Sequence, residues 1–253
     1  MFNPRSNTPF GRGGPFGGSR YQYQTASPYG GYAVGTQAQT SSLISKVMGL
    51  LAFGFLFALL GTFAGLAIGL SFTGYWVVAI AGIVVLFILN FAINKPGLNL
   101  FLLYLFTFLE GLALSPIINI YLGSGYGDIL AEAFLITAVT SLGLAVYAWT
   151  TKRDFSRLGD YLFFGVLLLL VAGIVGIFFG GIFSIPLVGL FISIFGVAIF
   201  SGYVLYYVQR ARYMADTLPN AIGITVSLFI TVLNLFIYIL ELLTILQGGD
   251  RRR

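Results

Sequence analysis

The sequence predicts an all-α integral membrane protein, a bundle of seven transmembrane helices, on three observations. Of its 253 residues 58% are hydrophobic and 8% charged, and the mean hydropathy is +0.95. A soluble domain carries roughly 25% charged residues, so this chain has too few to clothe a surface that faces water. Seven apolar runs follow one another, each long enough to supply the ~20 residues that cross hydrocarbon as a helix. Gly and Pro punctuate the runs, and Lys and Arg gather in alternate connections.

Residues 1–41 precede the first run. They are rich in Gly, Ser, Tyr, Gln and Pro, include Arg5, Arg12 and Arg20, and contain no acid. Such a composition buries too little apolar surface to offset its ordering entropy, so a disordered cytoplasmic tail is expected. It lacks the short apolar core and cleavage pattern of a signal peptide. The membrane domain is read as 42–247, and 248–253 as a short basic tail.

The first span, 43–70, carries Gly61, Gly65 and Gly69 at four-residue spacing. Small residues at that period let helix backbones approach closely in lipid, chiefly within the bundle, with a dimer interface as the lesser reading. The second span, 75–93, ends at Lys95-Pro96-Gly97. The third, 98–122, holds Glu110 just before Gly111 and six residues ahead of Pro116, which removes a backbone bond. A charge at mid-membrane costs on the order of 2.5–3.5 kcal/mol by insertion scales. Glu110 therefore either serves an ion or proton path or sits protonated and hydrogen-bonded across helices, the form a low dielectric favours.

The fourth span, 129–150, begins after Asp128, a plausible N-cap, and has Glu132 in its first turns, where the helix dipole favours negative charge. Glu132 is thus a secondary candidate. The fifth span, 161–179, places Gly176 and Gly180 at the same small-residue spacing, and the sixth, 186–208, carries Ser201, Tyr203, Tyr206 and Tyr207. In the seventh, 221–246, Ser227, Thr231, Asn234, Tyr238 and Glu241 step by four, three, four and three. They share one helix face, so this polar stripe must point into the bundle or a wet cavity. Interhelical hydrogen bonding and a permeation path are both open for it, and Ser201 and the tyrosines are possible partners.

Charge placement orients the chain. Lys95, then Lys152, Arg153 and Arg157, then Arg210 and Arg212 lie in alternate connections, while the others carry only Asp128. With Lys46 and the basic tail, the positive-inside rule puts the N-terminus in the cytoplasm, across a cell membrane. Seven crossings then leave Arg251, Arg252 and Arg253 on the far side. Either the last segment re-enters, or, as we favour, earlier loops have already set the topology.

With no His and no Cys, the chain has no Ser-His or Cys-His dyad, His-bound zinc or haem, disulfide or iron–sulfur centre. No cofactor or metal site is expected. No Lys lies at mid-span and no nucleophile–base pair can be nominated, so the expectation is that the chain is not an enzyme. Its net charge of +5 suits an anionic membrane face better than nucleic acid.

The stretch Phe106-Thr107-Phe108-Leu109-Glu110-Gly111-Leu112-Ala113-Leu114-Ser115-Pro116-Ile117 resembles the third span of the Bax inhibitor-1 family. The run from Glu132-Ala133-Phe134 through Lys152-Arg153-Asp154-Phe155-Ser156 is similar to its fourth span and following loop. Phe200-Ser201-Gly202-Tyr203-Val204-Leu205-Tyr206 resembles its sixth span, and Leu233-Asn234-Leu235-Phe236 its seventh. The resemblance extends over about 42–246. It implies a central seventh helix surrounded by the other six, an association with calcium leak across membranes and, in eukaryotic members, suppression of cell death.

In pH-gated members of that family two aspartates on spans six and seven share a proton, because two close carboxylates cannot both ionise cheaply. The corresponding positions here are Tyr207 and Thr231, and neither side chain titrates near neutral pH. The expected function is a cation (calcium or proton) leak lacking that sensor. Its candidate path residues are Glu110, Ser201, Tyr207, Ser227, Thr231, Asn234 and Glu241. The alternative is a non-transporting scaffold that binds other membrane proteins within the lipid bilayer.

Overall fold

The computed structural model describes residues 37–178 and 186–248. The expected tail before residue 37, Gly180 and the final Arg cluster lie outside the described residues. Those described form seven helices and no strand: α1 (Gln37–Ile68), α2 (Phe72–Ala92), α3 (Leu98–Gly123), α4 (Gly127–Thr150), α5 (Leu158–Phe178), α6 (Pro186–Arg212) and α7 (Leu218–Gly248). All seven are long and apolar enough to cross a membrane. Helix is the form that satisfies each amide within its own segment, as hydrocarbon requires. α1 begins at Gln37, inside the segment read from sequence as tail.

The turns follow from local chemistry. Gly69, Gly97 and Gly125 adopt φ of 62°, 83° and 77°, left-handed values that a Cβ would penalise, and each sits where one helix gives way to the next. Ser71 caps α2 by accepting a hydrogen bond from the Gly74 amide at 3.1 Å. Asp128 is not the cap expected for α4: the helix starts two residues earlier than such a cap implies, Tyr126 occupies the cap position, and Asp128 lies within the first turn.

α7 is the axis of the bundle. From Leu218 to Ile245 it has no exposed residue, whereas most large side chains of α2 and α5 face outward, Phe91 to the extent of 85%. α7 packs directly on α1, α3, α4 and α6. α2 leans on α3, α5 leans on α6, and these two outer helices reach α7 only through side chains such as Leu89 and Leu169. The surrounding ring is therefore open in two places, between α2 and α5 and between α1 and α4.

Lipid supplies little hydrophobic drive between helices, so close backbone approach has to hold them. α1 and α3 show it best. A Cβ at Gly111 would overlap the Ala58 carbonyl oxygen, one at Gly61 the Phe108 carbonyl oxygen, and one at Gly65 the Ser115 hydroxyl. Thr62 Oγ1 donates across the contact to the Gly111 carbonyl at 2.9 Å and to its own Ala58 carbonyl at 3.0 Å. Gly61 and Gly65 thus serve packing within the bundle, while Gly69 contributes a turn.

The basic residues collect at one end. There Lys46 pairs with Asp216 at 2.9 Å. Arg212 Nη1 donates to the Ala148 and Thr151 carbonyls, both at 3.4 Å. The buried Gln209 holds the α4–α5 connection from both sides, accepting from the Phe155 amide and donating to the Arg153 carbonyl at 2.6 Å. Asp128, Glu132 and Glu241 mark the opposite, acidic end.

Candidate functional site

The polar stripe of α7 faces α6. Ser227 and Thr231 line a cavity of about 370 Å³ together with Tyr203 and Tyr207 of α6 and Asn90 of α2. The lining residues of α2, α6 and α7 all come from their basic halves. From Gly223 to Thr231 the cavity follows α7 for about 12 Å at 1.5 Å per residue, which takes it to the middle of the helix. It opens in the gap between α2 and α5, with Val166 of α5 on its rim. The rings of Tyr203 and Tyr207 stack at 5.4 Å along its α6 wall, and Tyr207 faces Ser227.

Beyond Thr231 the seam is closed. Phe200, Leu235, Phe236, Ile239 and Leu240 are buried there in one cluster. Tyr238 lays its ring where a Cβ at Gly196 would be and stacks on Phe200 at 5.6 Å. Further along, Glu241 approaches Gly189 and Ser193 near the start of α6. The stripe therefore runs along a row of small α6 residues, Gly189, Ser193 and Gly196, with a polar pocket at one end and a carboxylate at the other.

The hydroxyls of α7 mostly bond within their own helix. Thr225, Ser227, Thr231 and Thr244 donate to the carbonyls of Ala221, Gly223, Ser227 and Leu240 at 2.7–3.0 Å, and Asn234 donates to Ile230 at 2.8 Å. Of the two readings left open for the stripe, a hydrogen-bonded clamp between helices does not describe Thr231 or Asn234. The Thr231 hydroxyl and one amide hydrogen of Asn234 are satisfied one turn back, and their oxygens keep free acceptor capacity.

Glu110 is elsewhere. Its carboxylate lies against Gly82 of α2, where a Cβ would come within 3.1 Å of Oε1, and it has no hydrogen bond or ion pair among the described residues. It shares no cavity with Tyr207 or Thr231. The azimuth of α3 explains this: Gly111, the next residue, is committed to α1, which turns Glu110 towards α2. Ser201 does not line the cavity either, because Phe200, Tyr203 and Tyr207 take the inward face of α6. Glu132 accepts from Gln247 Nε2 at 2.6 Å, and Tyr121 and Thr244 meet at 2.7 Å, so α7 is tied to α3 and α4 at the acidic end.

Sequence reasoning missed Asn90 and the small-residue row on α6. Asn90 was visible as a lone amide inside an apolar span. The row at 189, 193 and 196 has helical spacing but gains meaning only once α7 is known to lie on it.

A family model described as inhibitor of apoptosis-promoting Bax1 matches residues 40–248. A membrane protein of Vibrio cholerae is 32% identical over 214 residues, covering 84% of this chain and 93% of the relative. A Helicobacter pylori protein is 32% identical over 235 residues, covering 90% and 99%. The Golgi anti-apoptotic protein of vaccinia virus is 31% identical over 160 residues, covering 63% and 64%.

Proposed function

Because the chain belongs to the Bax inhibitor-1 family, we propose that it provides a cation leak, with calcium as the ion, along the seam between α6 and α7. The observation that carries this reading is the convergence of Tyr207, Ser227 and Thr231 on one cavity that reaches the middle of the bundle. Under the positive-inside rule its basic end faces the cytoplasm, across the plasma membrane, so the cavity lies in the cytoplasmic half of the bundle and serves in this reading as the vestibule of the path. Hydroxyl and amide oxygens are the hard ligands that suit calcium in passage. Phe200 and Tyr238 close the way beyond it in the described conformation.

Tyr207 and Thr231, which the family resemblance sets at the positions of the proton-sharing aspartate pair of pH-gated members, both line this vestibule. In our reading the gate is then steric, and its opening does not follow pH. The test is calcium entry into dye-loaded liposomes holding the purified chain. Flux should be nearly constant between about pH 6 and pH 8, where neither a phenol nor a hydroxyl titrates. Ser227→Leu, which fills the vestibule, should cut it several-fold, and Tyr207→Asp with Thr231→Asp should make it depend on pH. Absence of flux from a folded preparation would defeat the reading.

The competing reading is a non-transporting regulator that binds other membrane proteins. The name of the vaccinia relative, an anti-apoptotic protein of the Golgi, favours it. Partners captured by crosslinking, together with no ion flux, would select it.

A further inference from the structure

α1 and α4 do not pack on each other, and the gap between them is a groove of about 680 Å³ floored by α7. Its lining is apolar apart from Thr62, Thr137 and Ser141. Thr62 and Thr137 already donate to backbone carbonyls. Ser141 Oγ is a buried oxygen without a partner, but the Thr137 carbonyl one turn back is within reach of a rotation about χ1. The walls therefore ask for an apolar occupant.

Width selects the occupant. Lining residues run from Met48 to Leu66 on α1, a length of about 27 Å, and all the empty space along it, about 1830 Å³, gives a mean cross-section of about 70 Å² at most. A helix with its side chains, about 10–12 Å across, needs about 80–110 Å². A polymethylene chain, whose carbons approach their neighbours at about 3.5–4.0 Å, needs on the order of 15–20 Å². An acyl chain fits with room to spare, and a whole partner helix does not.

Charge selects the end at which its headgroup lies. Val208 and Ala145 line the groove at its basic end. One helical turn further on the same two faces stand Arg212 and Trp149, the guanidinium 5.6 Å from the indole centre. Cations at the membrane surface attract anionic lipids, and Trp favours the headgroup level. At the other end α4 begins with Asp128 and Glu132.

We propose that this groove is a lipid site that holds one acyl chain of an anionic phospholipid along α7, with its phosphate at Arg212 and Trp149. The site is on the opposite side of α7 from the vestibule, so it stands whether or not the chain conducts ions.

Photolabelling of the full chain in phosphatidylcholine vesicles tests it, with a trace of phosphatidylglycerol bearing a diazirine on one acyl chain. Adducts are expected on Leu228 and Val232, which line the groove on a helix with no exposed residue between Leu218 and Ile245. Ala138→Phe, and independently Leu142→Trp, should lower these adducts several-fold while outward residues such as Phe53 and Leu135 stay labelled. The same diazirine on phosphatidylcholine should label the floor less. Adducts confined to outward residues, equal floor labelling by the two lipids, or a crosslinked second protein in the groove would each overturn the proposal.

Discussion

The Ser115 hydroxyl stands 2.7 Å from the Leu112 carbonyl, the acceptor that Pro116, having no amide hydrogen, leaves vacant. A proline inside a membrane helix frees one carbonyl where no water can reach it, and neighbouring hydroxyls are the usual remedy. Here the remedy sits one residue ahead of the proline and also packs against Gly65 of α1.

Ser115→Ala should therefore destabilise by about 1–3 kcal/mol, the cost of an unsatisfied buried acceptor. Gly65→Ala, which pushes a methyl into the same hydroxyl, should cost at least as much. Thermal unfolding in detergent would measure both, and an unchanged midpoint for Ser115→Ala would show that the carbonyl has another donor.

Hydrogen bonds from Lys46 and then Ser42 hold the Asp216 carboxyl below the usual carboxylate range. A lowered folded-state pKa stabilises above the ordinary Asp value of about 3.9 and is lost as pH falls through the folded value. Lys46 is exposed, so salt screens the pair and its contribution is small. Asp216→Asn should melt slightly below the wild type near neutral pH and converge with it in acid. Raised salt should narrow the difference. A gap that widens in acid would contradict this sign.

Among the described residues Gln209 is the side chain that holds the α4–α5 connection at both Arg153 and Phe155. Gln209→Leu should free Arg153 and Phe155 while leaving the spans in place. Trypsin should then cut at Lys152, Arg153 or Arg157 several-fold faster than in the wild type, as read by fragment mass. Unchanged cleavage would mean that Arg212 alone holds the connection.

Glu110→Gln should leave calcium flux unchanged, because Glu110 faces Gly82 and shares no space with the vestibule. Having no partner to lose, it should also shift stability by less than about 1 kcal/mol. Loss of flux in a folded Glu110→Gln protein would place the pathway between α2 and α3.

The number of spans, their order and the basic end were all legible in the sequence, because length, apolarity and loop charge report directly on crossing a membrane. The α7 stripe was legible too, since helical spacing fixes which residues share a face. What spacing leaves open is which neighbour that face meets. Glu110 looked like a pathway residue because it is charged and mid-span. Its actual direction depends on Gly61, Gly65 and Gly111 locking α3 onto α1, a relation between two helices that neither pattern contains alone. The same holds for Ser201, which periodicity put near Tyr207 and packing put outside the cavity.

The small-residue row of α6 has a mechanical consequence. Among the described residues no hydrogen bond from Thr231, Asn234 or Tyr238 crosses to α6. The Tyr238 ring is seated on Gly196, while Gly189, two turns away, meets Ile245 and Glu241. The polar ties between the two helices flank this stretch, Tyr207 with Ser227 on one side and Glu241 with Ser193 on the other. The Tyr238 ring is thus a peg in the space that Gly196 leaves, and a lengthwise shift of α7 would have to lift it out and stretch both ties.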